Sequence, residues 1–119
     1  MNPFLSFLSK QIQHIATIEA DAQAKLHDQN DPDGYRQAMS AKAELLAALP
    51  AAALPHLDDL PMEMRPMVEH RLDMLASSAK RSLEIGSVFF MSALLYPEDH
   101  QAGEPNDLER WLHDLERKF

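Results

Sequence analysis

The sequence predicts an all-α protein: a small bundle of four main helices with a proline-rich irregular segment between the second and third. Three observations predict it. Apolar residues recur three and four apart over most of the chain, the period of one helix face. Prolines and short acidic or glycine-bearing clusters interrupt those runs where helices would end. Finally, the fourteen residues Leu83–Tyr96, LEIGSVFFMSALLY, are apolar on nearly every side, with Glu84 the one charge. A helix of that kind is covered by protein or lipid. It falls short of the roughly 20 apolar residues that cross a bilayer, so the expected cover is other helices or a second subunit.

The first helix is expected over residues 3–27. Asn2 is a suitable N-cap, and Pro3 suits the first position, where its missing N–H costs nothing. Leu5, Leu8, Ile12, Ile15, Ala22 and Leu26 form a stripe that Phe4, Phe7 and Ile18 widen and Glu19 interrupts. The segment 28–34, DQNDPDG, breaks the chain, with Asp31 or Asp33 as the cap of the next helix. That helix is expected over 35–49, on a stripe of Ala38, Ala41, Leu45 and Leu49.

Pro50, Pro55, Pro61 and Pro66 follow at five- or six-residue spacing, which forbids one regular helix. Residues 50–65 are therefore expected to be short turns joined by bends. The third helix is expected over 66–96, with Val68, Leu72, Leu75, Ala79, Leu83, Gly86, Phe90 and Leu94 on its buried side. At about 1.5 Å per residue it would be roughly 46 Å long. A compact chain of this size is roughly 35 Å across. The helix must kink, with Gly86–Ser87 the natural place, or the protein must be elongated or oligomeric.

The last helix is expected over 107–117. Asn106 and Glu109 have the spacing of a capping box. Leu108, Trp111, Leu112, Leu115 and Phe119 share a face, and Arg117 and Lys118 sit where the helix dipole favours cations.

Composition narrows function by exclusion. The net charge is −8, and no run of Lys or Arg exists to neutralise phosphates, which points away from nucleic acid and anionic membranes. Half of that charge lies in residues 97–119, where seven carboxylates face three cations. The chain has no cysteine, hence no disulfide, thiolate metal site or thiol nucleophile. With MNPFLSFLSK a poor secretory signal, a cytoplasmic location is expected. Three glycines cannot build a phosphate loop or dinucleotide fingerprint, and no serine sits in a G-x-S-x-G elbow.

No motif specifies a reaction, and no cofactor is expected. The expected function is a non-enzymatic protein–protein interaction module (an adaptor, assembly factor or accessory subunit) that self-associates, as a homodimer in the simplest case. Met62, Met64, Met67 and Met74 are clustered, and flexible thioethers suit adaptable surfaces as well as irregular cores. With Trp111 they are the candidate partner-binding residues.

Two other chemistries have candidates. His70, alone on a bundle helix, is where a phosphotransfer domain would carry its phosphoryl group, although Glu69 and Asp73 flank it with the wrong charge and Arg71 is expected to point elsewhere on the helix. A metal site would draw on six histidines, but none lies three or four residues from another, and no Glu-x-x-His occurs. Glu98, Asp99, His100 and Glu104 gather in the loop at 97–107 as a candidate metal or partner site. The acidic turn at 28–34 lacks the end ligands of a calcium loop, since Gln29 and Ser40 occupy those positions.

Overall fold

Asn2 starts the first helix by accepting the Phe4 N–H on its side-chain oxygen at 2.8 Å, with Pro3 at the first position. The computed structural model describes residues 2–119, and the regular elements among them are all helical. Helix α1 (Pro3–Gln23) buries Phe4, Leu5, Phe7, Leu8, Ile15 and Ala22. It then widens into a π-helical turn, Ala24–Asp28, and the chain reverses through Asn30 at φ 49°. Helix α2 (Pro32–Ala47) begins earlier than the apolar spacing predicts. Pro32 takes its first turn, and the Asp31 carboxylate accepts the Gly34 N–H at 2.9 Å. A Cβ at Gly34 would press on that carboxylate and on the Lys25 side chain, so a larger residue there would displace the cap.

Two further elements differ from expectation. Residues 50–65 are not irregular throughout, because α3 (Leu49–Leu57) occupies the first half. Pro50 lies in its first turn, where no hydrogen bond is lost. Pro55 lies inside, but it and Ala51, whose carbonyl loses its i+4 donor, are both exposed to water. Leu49, Ala53 and Leu57, spaced by four, face the core. The remaining turns are tied down by the Arg65 side chain, which donates to the Leu60 and Asp58 carbonyls at 3.4 and 3.2 Å.

The expected long helix is two helices. α4 (Arg65–Ile85) ends where Gly86 enters the left-handed region at φ 71°. The Ser87 N–H reaches the Ser82 carbonyl at 3.2 Å and the Gly86 N–H reaches Leu83 at 3.1 Å, the bonds of a Schellman ending. Ser87 then caps α5 (Val88–Ala93) by accepting the Phe90 N–H at 3.1 Å. Leu95 sits at φ 77°, costly for a leucine. It is held by its own burial and by its carbonyl, which accepts the Asp107 N–H at 2.9 Å. α6 (Asp107–Lys118) carries the complete Asn106–Glu109 capping box, both bonds at 2.9 Å.

α1 packs on α2 and α2 on α4; α3 lies across α1 and α4, α5 against α2 and α4, and α6 against α1. The larger core joins Phe4, Leu8, Ile15, Leu46, Leu49, Leu72, Leu108 and Trp111, with Phe4 edge-on to the Trp111 ring at 6.1 Å. A smaller core of Ala22, Ala38, Met39, Ala43 and Met91 holds α5 in place. The molecule measures 47 × 29 × 26 Å, so breaking the helix and elongating the body together accommodate the apolar run.

Candidate functional site: the groove between α4 and α6

Helix α4 has two distinct sides. Val68, Leu72, Ala76, Ala79 and Ser82 face inward. Met67, Arg71, Met74, Ser78, Arg81 and Ile85 recur at helical spacing on another side, and all six are exposed. α6 spends its apolar face on α1 and stands off from α4, leaving a groove between them.

The groove consists of three adjoining cavities. The first, about 260 Å³, is lined by Met67, Val68, His70, Arg71, Trp111, Asp114, Leu115 and Lys118. The second, about 380 Å³, shares His70 and Arg71 with it and adds Met74, Leu75, Ser78 and Asp107. The third, about 210 Å³, shares Leu75, Ser78 and Asp107 and ends at Leu94, Leu95, Tyr96 and Pro97. From Met67 to Ser78 the groove follows twelve residues of α4, a rise of about 16 Å. Its floor is apolar and its rims mix charge. The Arg71 guanidinium lies over the Trp111 ring, 5.9 Å from its centroid. Among the described residues His70, Arg71 and Lys118 take part in no ion pair, and neither do Asp107 and Asp114.

Of the residues singled out from sequence, Met67, Met74, His70 and Trp111 meet in this groove. Met64 instead packs against the larger core, and Met62, 77% exposed, stands in the turn before α4 outside the groove. Arg71 does not point away from His70, since both line the same two cavities. The candidates in the 97–107 loop bond to one another and to nearby groups. The His100 ring nitrogen is 2.9 Å from the Glu104 carbonyl, the Glu104 carboxylate accepts the Gln101 N–H at 2.8 Å, and it pairs with Arg110 at 3.7 Å. Glu98 and Asp99 are exposed at the start of that loop. Among the described residues no three His, Asp or Glu side chains gather as a metal cluster, and no helix is long and apolar enough to cross a membrane.

Sequence reasoning missed one polar cluster beside the groove. Lys42 is fully buried; its ammonium lies 3.0 Å from Glu19 Oε2, donates to the Ser92 carbonyl at 3.1 Å and sits 5.0 Å from the Tyr96 ring centroid. The Tyr96 hydroxyl donates to Glu19 Oε1 at 2.8 Å. Burial pulls the Lys42 pKa down against the opposing pull of Glu19. Burial first, then the Glu19 carboxylate, pushes Tyr96 up to about 12. The available signal was Glu19, a charge inside the apolar stripe of α1, matched by Lys42 four residues after Ala38 on α2. Lys42 lines none of the three cavities, so its amine joins α1, α2 and the end of α5 rather than meeting solutes. Comparison with known proteins finds no family, no curated protein and no solved structure that matches this chain.

Proposed function

We propose that this protein is a non-enzymatic helical interaction module, acting as an adaptor, assembly factor or accessory subunit, with the α4–α6 groove as its docking surface. The observation that supports this reading is the adjoining of the cavities along α4. Two adjoining cavities that share His70 and Arg71 carry the groove past Met67, Met74 and Trp111, with Arg71 over the Trp111 ring. A length of about 16 Å matches three turns of a partner helix, the helix-in-groove mode of recognition. Methionines adapt to differently shaped anchors, and Trp and Arg are enriched among residues that dominate binding energy. The unpaired charges on both rims would fix the direction of the bound segment more than its affinity.

The test is site-specific photo-crosslinking in cells, with the reactive residue at Met74 and a control at Glu44, exposed on α2. The expected result is a discrete adduct at Met74 that Met67→Asp abolishes, with none at Glu44. Equal labelling at the two positions would sink the proposal. The mass of the adduct reports whether the occupant is another protein or the same chain.

A further inference from the structure

On the flank of α4 next to α3 lies a separate hollow of about 220 Å³. Pro50, Leu54 and Leu57 of α3 and Leu72 of α4 give it an apolar lining, and its only charges are the carboxylates of Glu69 and Asp73. Leu57 and Leu72 are buried beneath it, whereas Leu54 is 65% exposed at its edge. None of these residues lines the α4–α6 groove, whose rims carry cations as well as carboxylates.

Glu69 and Asp73 are both exposed and sit four residues apart, where like charges on one helix repel. The fold supplies nothing to relieve them. Among the described residues neither takes part in an ion pair. Arg65 has the spacing to pair with Glu69, but its guanidinium is committed elsewhere. It pairs with the Asp58 carboxylate at 3.5 Å and donates to the Leu60 and Asp58 carbonyls.

We infer that the hollow receives an arginine side chain of a partner protein, its methylene stem on Leu54, Leu57 and Leu72 and its guanidinium between Glu69 and Asp73. Charge complementarity selects this occupant. Side chains four apart on a helix are about 5–6 Å apart at Cβ, so one planar guanidinium with five N–H donors reaches both carboxylates. A lysine ammonium holds its water more strongly and lacks the fork. A bare metal ion would find two carboxylates over leucine, and no group of three ligating side chains exists among the described residues. Free arginine would bring its own carboxylate against Glu69, Asp73 and a chain of net charge −8. Within a polypeptide that carboxylate is an amide, and the same net charge steers a basic partner inward. The inference does not rest on the α4–α6 groove.

The test is leucine methyl NMR of the full chain, titrated with the blocked tripeptide acetyl-alanyl-arginyl-alanine amide. The Leu54 and Leu57 signals are expected to shift saturably, with a dissociation constant of about 1–10 mM. The citrulline counterpart, equal in shape but uncharged, is expected to leave them in place. Glu69→Gln combined with Asp73→Asn, with unchanged far-UV circular dichroism, is expected to weaken binding at least roughly tenfold. No saturation up to about 50 mM, equal shifts with citrulline, or equal binding by a lysine peptide or by the double variant would overturn the inference. In cells, a photo-reactive residue at Leu54 is expected to give an adduct with another protein that the double variant loses. An adduct of the chain with itself, or peptide binding without any cellular adduct, would reject a protein partner. The Met74 adduct tests the groove separately, because neither carboxylate lines it.

Discussion

At the residue scale the informative position is Lys42. An ammonium moved from water into a protein interior loses hydration worth several kcal/mol, which its partners must offset. Here the Glu19 carboxylate, the Ser92 carbonyl and the Tyr96 ring supply the compensation. Lys42→Ala would leave Glu19 beside an empty site and is expected to destabilise the fold by about 3–5 kcal/mol in urea unfolding. The double replacement Lys42→Met with Glu19→Leu removes both charges, and its loss should be much smaller. If the single and double variants lost equally, the pair would not be acting as a pair.

The pH dependence follows from the same cluster. Tyr96 is pushed from 10.0 up to about 12, so the folded state holds its proton more tightly. Its contribution is complete below pH 10 and is lost as pH rises toward 12. Lys42, held below 10.5, acts with the opposite sign and gains stability as pH rises to 10.5. Between pH 10.5 and 12 only the Tyr96 contribution remains, and it falls. Wild type should therefore lose urea resistance across that window more steeply than Tyr96→Phe. Parallel curves would mean that the Tyr96–Glu19 bond has no bearing on stability.

At the element scale the decisive feature is the break at Gly86. Apolar spacing runs through it because Leu83, Phe90 and Leu94 keep the helical phase. Periodicity reports which face is covered and says nothing of whether the backbone is continuous. Gly86, followed by a serine able to cap, was the legible sign, and it marked a full stop rather than a kink. A Cβ at Gly86 would touch nothing within 4 Å, so the cost of Gly86→Ala is purely the left-handed backbone at φ 71°. That cost is about 1–2 kcal/mol in urea unfolding. A variant as stable as wild type would mean that α4 can run straight on into α5.

The ends of α6 were readable because a capping box is local in sequence. Asn106→Ala should cost about 1 kcal/mol by removing that cap. α3 was harder. Its prolines forbid an uninterrupted helix across residues 50–65, but they allow a nine-residue one when the first lies in the opening turn and the second faces water. Which way Pro55 faces is decided by what Leu49, Ala53 and Leu57 pack against.

At the scale of the whole molecule, the all-helical class was legible from composition and spacing, but which methionines turn outward was not. The groove was not. It exists because α6 packs on α1 rather than α4, and no local pattern in either helix encodes that choice. For the same reason Met62 and Met64 looked equivalent to Met67 and Met74, although only the latter two line the groove. The second apolar surface at Phe89 and Phe90 was hidden by the expectation that the whole run 83–96 would be covered. A net charge of −8 opposes indiscriminate association of a chain that displays both surfaces.

The most direct test of the groove as the docking surface compares methionine methyl NMR spectra of the labelled chain in dilute buffer and in cell extract. The Met67 and Met74 methyl signals should shift and broaden in the extract, while exposed Met62 and buried Met39 stay fixed. Movement at Met62 with Met67 and Met74 unchanged would place the contact elsewhere and contradict the account.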